Sequence, residues 1–113
     1  MDQLMTVDHT EVRGHVVVRV RGEIEALTAP RLADAVTEAL GRGRPVVVDL
    51  TDVTFLDSAG LTALIRVTET AEGRGEPLRL AIDHNRPVIR PIQITGLEHR
   101  LSLYHSVEDA TAA

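Results

Sequence analysis

The sequence predicts an α/β fold, because strand-like and helix-like segments alternate along the chain. Residues 15–20, HVVVRV, are rich in β-branched side chains and predict a strand. Residues 46–50, VVVDL, predict a second strand, and apolar residues recur at helical spacing between the two. This strand, helix, strand order indicates a crossover unit, and 113 residues with 43% hydrophobic content suffice for one domain with its own core.

The N-terminal segments predict an antiparallel hairpin. Residues 3–11 have weak strand character, and Arg13 with Gly14 supplies a turn before the strand at 15–20. We expect Gly22 to end that strand. Alternation divides its side chains between two faces, with Val16, Val18 and Val20 on one and Val17, Arg19 and Arg21 on the other.

The first helix is predicted between the two strands. Thr28 can cap it, and Pro30 fits its first turn, where the N–H that proline lacks has no helical partner. Gly41 and Gly43 predict its end. The side chains expected to face the core are those of Leu32, Val36, Ala39 and Leu40.

A loop is predicted over residues 51–57, TDVTFLD, after the second strand. A second helix is expected to begin near Ser58 and to end at Gly73 and Gly75. Its apolar stripe identifies the side chains that we expect to be buried, which are Leu61, Leu64, Ile65 and Thr68.

The C-terminal part predicts two more strands and two more helices. Residues 78–82, LRLAI, alternate as in a strand, and Asp83 or Asn85 can cap a third helix that Gly96 ends. Pro91 falls inside this helix and is expected to remove one hydrogen bond from it. The remaining elements are a short strand at 101–104 and a last helix opened by a capping-box pattern, SVED, at 106–109.

Composition excludes several classes of function. The chain has no cysteine, which excludes disulfides, thiolate metal sites and a cysteine nucleophile. A net charge of −5 and an aromatic content of 2% make nucleic-acid binding a poor expectation. The N-terminus lacks the basic and apolar regions of a secretory signal, and no apolar run approaches the roughly 18 residues that span a bilayer. We therefore expect a cytoplasmic protein with no membrane partner.

The most informative segment is the junction at residues 57–61, DSAGL, where the second predicted strand leads into the second helix. Asp57 and Ser58 are good cap residues, and Ala59 and Gly60 are small enough to leave room for an approaching backbone. The positive end of the helix dipole would tolerate an anion on Ser58, whereas Asp57 would repel it. The spacing alone favours a plain helix cap over a switch, because cap residues are enriched at such junctions for local reasons.

Four segments together resemble the STAS-domain family of bacterial anti-sigma-factor antagonists. They are residues 46–61, VVVDLTDVTFLDSAGL; residues 21–30, RGEIEALTAP; residues 77–80, PLRL; and residues 95–97, TGL. The resemblance covers nearly the whole chain. It implies a single STAS domain over residues 1–113, with a mixed sheet of four to five strands and three to four helices mainly on one face.

The resemblance also implies a partner switch without catalysis by this chain. The unphosphorylated antagonist binds an anti-sigma factor with a histidine-kinase-like ATPase fold, which then releases its sigma factor; the same partner phosphorylates the antagonist on a serine, and a serine phosphatase resets it. Ser58 is the implied phosphorylation site, and Ala59 replaces a serine that is common in the family. No cofactor or metal is implied for the chain itself. The implied partner-binding residues are Asp57, Ser58, Ala59, Gly60, Leu61, Glu23, Glu25, Thr28 and Thr54.

Three other functions compete with the partner switch. A serine hydrolase would need a nucleophile elbow, and the sequence around Ser58 lacks the first glycine of GxSxG. The five histidines are scattered without HxxH or HExxH spacing, which disfavours a metal site. The main alternative uses the same fold as a non-enzymatic STAS subunit of a lipid transporter or of a stress-sensing scaffold.

Overall fold

The structure, a computed structural model that describes residues 4–113, is a five-stranded sheet with four α-helices. The α/β prediction and the expected numbers of strands and helices are therefore confirmed. The elements are β1 (Met5–Val12), β2 (His15–Ile24), α1 (Ala29–Leu40), β3 (Val46–Leu56), α2 (Ser58–Gly73), β4 (Arg79–Ala81), α3 (Arg86–Ile94), a 3-10 turn (Leu97–His99), β5 (Ser102–Tyr104) and α4 (Val107–Ala112).

The sheet is mixed, and its strands follow one another in chain order. β1 and β2 form the predicted antiparallel hairpin, whereas β2, β3, β4 and β5 pair in parallel. Parallel neighbours need crossover connections, and α1, α2 and α3 supply them. The carboxyl ends of four strands consequently meet at one edge of the sheet, which we call the carboxyl edge.

The valines of β2 alternate between two cores, as the sequence pattern predicts. Val18 belongs to the main core beneath α1, α2 and α3, whereas Val17 packs with Ala110 of α4 on the opposite face. Three helices therefore cover one face and one short helix covers the other. Both faces of the central strands are apolar because both are buried.

Two predicted boundaries are wrong at the carboxyl edge. Gly22 does not end β2, which continues to Ile24, and residues 51–57 are not a loop, since β3 continues to Leu56. The pairing between β2 and β3 contains two register shifts and continues to Ile24 and Leu56. Gly22 adopts a positive φ of 96° beside the backbone of Leu4, a conformation that glycine reaches without strain. The extension pairs backbone groups that a loop would leave to water.

Of the two predicted cap positions, Asp83 and Asn85, the third helix uses Asn85, but the Asn85 side chain does not act as a cap. Its side-chain amide instead donates to the carbonyl oxygens of Leu50 and Val53, at 2.8 and 2.7 Å. One side chain thus ties the start of α3 to β3. Pro91 lies inside α3 without ending it, because the helix continues to Ile94.

Helix α2 approaches the end of β2 closely at Gly60. A Cβ placed there would lie 2.7 Å from the carbonyl oxygen of Ile24 and 2.7 Å from a methyl group of Leu56. Only glycine fits without moving backbone, so this position sets the distance between α2 and the sheet.

We expect Gly60→Ala to lower the free energy of unfolding by about 1–3 kcal/mol, because the added methyl group overpacks the contact with Ile24. The matched control is Gly73→Ala in the same helix, where nothing lies within 4 Å of the new Cβ. The control should be unchanged or up to about 1 kcal/mol more stable. Urea denaturation measures both, and equal effects for the two variants would contradict the close contact.

We expect Asn85→Asp to destabilise the protein by about 1–3 kcal/mol, since a carboxylate would face two carbonyl oxygens that lose their donors. Gln93→Glu, an amide-to-acid change at an exposed position of the same helix, is the control and should change stability by less than about 0.5 kcal/mol. Thermal and urea unfolding provide the measurement; a loss as small as that of the control would mean that Asn85 does not hold α3 to β3.

Candidate functional site

The candidate site is the junction between β3 and α2, and Asp57 organises it. The Oδ1 atom of Asp57 accepts a hydrogen bond of 2.9 Å from the backbone N–H of Gly60, which caps the first turn of α2. The backbone N–H of Asp57 donates to the carbonyl of Ile24 at 3.2 Å. The cap and this backbone bond together hold the start of α2 against the end of β2.

Ser58 is the first residue of α2, and its side chain is exposed. Because Asp57 provides the cap, the Ser58 hydroxyl takes no part in it. The free N–H groups of the first turn give this end of the helix a partial positive charge. The junction therefore presents an accessible hydroxyl at a place where an added anion would not disturb the fold.

The next three residues of the predicted partner surface lie deeper. Ala59 is half-buried, whereas Gly60 and Leu61 are buried. The space beside Gly60, which we expected to admit an approaching backbone, is occupied by the chain's own Ile24 carbonyl. Gly60 and Leu61 therefore support the surface from below, and their assignment to partner contact stays a prediction.

A second loop beside the junction contains Glu23, Glu25 and Thr28. Thr28 is buried, and its hydroxyl donates to the carbonyl of Glu23 at 2.8 Å and accepts from the N–H of Glu25 at 3.0 Å. Thr28 thus braces the loop and does not cap α1 with its side chain. The Glu25 carboxylate binds the backbone N–H groups just before and at the start of α1 instead. Its Oε1 accepts from the N–H groups of Leu27 and Thr28 at 2.9 and 3.1 Å.

Strand register brings this loop to the junction. Glu23 pairs with Phe55 and Ile24 pairs with Leu56, so the residues after Ile24 lie beside Asp57. Two half-buried glutamates thereby join Asp57 at the carboxyl edge, and Thr54 is exposed on the adjoining part of β3. The structure thus brings together the loop and the junction, which belong to two separate crossovers, and the binding of a partner there stays a prediction.

Exposed apolar side chains around the junction were missed by the sequence analysis. Leu27 is 78% exposed, Phe55 47% and Ile94 75%, which is high for side chains of this size. Phe55 and Ile94 line one groove of about 580 Å³ with Arg86 and Arg90. The available signal was the alternation of polar and apolar residues over 52–55, which indicates a strand, but residues 51–57 were assigned to a loop.

A second groove of about 440 Å³ opens directly at Ser58. Ile65, which the helical stripe predicts to be buried, is only half-buried and lines this groove. Arg66 lines it as well, and no carboxylate within residues 4–113 forms an ion pair with Arg66. The hydroxyl is thus flanked by a depression whose lining includes apolar side chains, the cationic Arg66 and the carboxylate of Glu69.

Metal-ligating side chains do not cluster at the junction in the part of the chain that the structure describes. The described residues contain one group with suitable chemistry, Asp83, His84 and His105, at another position. Among these same residues no helix is both long and apolar enough to cross a bilayer. The arrangement at Ser58 suits protein contact and modification from outside.

Comparison with known proteins agrees with the geometry. Residues 6–110 match the STAS domain family. The chain is 32% identical over 108 residues to the anti-sigma-F factor antagonist RsfB of Mycobacterium tuberculosis, covering 94% of this chain and 86% of that protein. It is 29% identical over 94 residues to the anti-sigma-B factor antagonist of Bacillus subtilis, covering 83% of this chain and 85% of that protein.

A solved structure supports the same relationship. The crystal structure of an anti-sigma factor antagonist from Mycobacterium paratuberculosis superposes with a TM-score of 0.85 at 33% identity. The match covers 96% of this chain and 92% of that one. The family match, the sheet topology and these relatives show that the chain belongs to the STAS-domain family of anti-sigma-factor antagonists.

Proposed function

We propose that this chain is an anti-sigma-factor antagonist whose unmodified form binds an anti-sigma factor, and that phosphorylation of Ser58 abolishes the binding. The proposal treats residues 1–113 as one STAS domain that acts by regulated binding and not by catalysis. The observation that carries it is the exposed Ser58 hydroxyl at the start of α2, in a chain similar over nearly its whole length to named antagonists.

The chemistry of the site supports a substrate role for Ser58. Within residues 4–113 no side chain hydrogen-bonds the Ser58 hydroxyl, so the chain supplies no base to activate it as a nucleophile. In the proposed reaction a base of the partner kinase takes the hydroxyl proton. The Oγ of Ser58 then forms a bond to the γ-phosphorus of the partner's ATP, the bridging P–O bond breaks, and ADP leaves. A phosphatase would return the serine by hydrolysis.

Electrostatics explains how such a modification would act on binding and spare the fold. Phosphorylation adds about −1.5 to −2 charges next to the half-buried carboxylate of Asp57. The first turn of α2 offsets part of this charge in the free protein. A docked partner would have to desolvate all of it, and a penalty of roughly 3–4 kcal/mol weakens affinity by about two to three powers of ten.

The exposed apolar side chains supply the attractive part of the proposed interface. Leu27 projects from the loop that Glu25 anchors, and Phe55 lies near the end of β3, just before the junction. Large side chains that leave water on binding contribute most of the affinity at interfaces. We propose that these two side chains flank Ser58 in the complex with the anti-sigma factor.

We expect Ser58→Ala to bind the anti-sigma factor as tightly as the wild type and to accept no phosphate. Ser58→Glu should bind at least about tenfold more weakly, because the carboxylate mimics part of the added charge. Ser102→Glu, the same change at an exposed serine on β5, should bind normally. Titration calorimetry with candidate ATPase-fold partners measures the affinities, and mass spectrometry after incubation with ATP locates the phosphate. Binding of Ser58→Glu within twofold of wild type would contradict the switch.

Truncation of Leu27 tests the proposed attractive surface. We expect Leu27→Ala to weaken partner binding at least tenfold, while the free energy of unfolding stays within about 0.5 kcal/mol of wild type because the side chain is 78% exposed. The unfolding measurement serves as the control for structure. Unchanged affinity, measured with the same partner, would place the interface elsewhere.

A further inference from the structure

We propose that Asp83, His84 and His105 form a surface site for a divalent transition-metal ion, of which Zn²⁺ is the probe. The site lies at the carboxyl edge, after the ends of β4 and β5, and it is separate from the Ser58 junction in both residues and chemistry. The inference does not rest on the function proposed above.

The ligand atoms are already close together. The Nε2 atom of His105 lies 3.1 Å from Oδ1 of Asp83, and one ligand atom from each of the three residues falls within 4.8 Å of the others. Zinc bonds of about 2.0–2.2 Å at a tetrahedral centre place neighbouring ligand atoms about 3.3–3.6 Å apart. Since all three side chains are exposed, small rotations suffice to reach that spacing.

The backbone holds the three residues side by side. The N–H of Ile82 donates to the carbonyl of Tyr104 at 3.0 Å, which continues the β4–β5 ladder up to the cluster. On the other side, the Asn85 side chain is tied to β3 by its two hydrogen bonds. Asp83 and His84 therefore span a short stretch that is anchored at both ends, and His105 directly follows the anchored Tyr104.

The backbone of Asp83 adds to this placement. Its φ of 48° lies in the left-handed region, which is uncommon for a residue other than glycine, although aspartate tolerates it better than most. The conformation turns the chain sharply after β4 and leaves Asp83 beside His105. The rings of His84 and His105 meet edge to face, with centroids 4.8 Å apart.

The donor set selects a class of metal. Two imidazoles and one carboxylate suit zinc, cobalt or nickel, whereas magnesium and calcium prefer sites built from oxygen alone. Three protein ligands leave a further position for water or for a group from outside the chain. We expect a dissociation constant on the order of micromolar, because exposed side chains lose freedom on binding and the site is not enclosed.

The test uses the full chain with any histidine tag removed. We expect titration calorimetry with ZnCl₂ to show one site per chain, and the melting temperature to rise with Zn²⁺ and return with EDTA. His105→Ala and His84→Ala should each weaken binding at least tenfold. His99→Ala is the matched control, since His99 is 90% exposed and stands apart from the cluster, and it should bind as the wild type does.

Asp83→Gly removes the carboxylate in a variant that should fold normally, because glycine adopts the positive φ of this position without strain. It should retain the wild-type melting temperature in EDTA and lose at least tenfold in Zn²⁺ affinity. Absence of saturable Zn²⁺ binding below about 100 µM, or equal losses in His99→Ala and His105→Ala, would overturn the proposal. Those results would leave the Asp83–His105 contact without a metal-binding role, and they have no bearing on Ser58.

Discussion

The close approach of α2 to the end of β2 is the constraint on which the rest of the site depends. Gly60 lets the helix lie against the Ile24 carbonyl, and the same carbonyl accepts the backbone N–H of Asp57. With the backbone of the junction held in this way, Asp57 can cap the helix and Ser58 is turned outward. A residue larger than glycine would push the helix away from the sheet and move the hydroxyl with it.

Different residues around this contact serve stability and regulation. Buried residues stabilise the fold, as Gly60 and Leu61 do in α2 and as Thr28 does in the neighbouring loop. Among residues 4–113 the exposed hydroxyl of Ser58 contributes no hydrogen bond to the fold. A charge added to it would change the electrostatic surface that a partner meets, while the core beneath remains as it was. This arrangement suits a protein that must stay folded in both of its proposed states.

Much of the fold could be read from local patterns, because each pattern reports on one element at a time. Apolar alternation placed β2, and helical spacing placed α1 and α2 with their core-facing residues. The errors occurred where a distant segment decides the outcome. The extension of β3 through residues 51–56 depends on pairing with β2, and Asn85 uses its amide on β3 carbonyls instead of on its own helix.

The sequence by itself determined the α/β class, the order of the elements and the position of Ser58 at the start of a helix, since alternation, helical spacing and capping chemistry act over a few residues. The tertiary structure alone decided which distant residues share the carboxyl edge. It brought Ile24 beside Leu56 through strand register, and it placed His105 against Asp83 although the histidines are scattered along the chain. The physical reason is that parallel strands collect their ends at one edge, and the order of strands in a sheet is a property of the folded chain and not of any short segment.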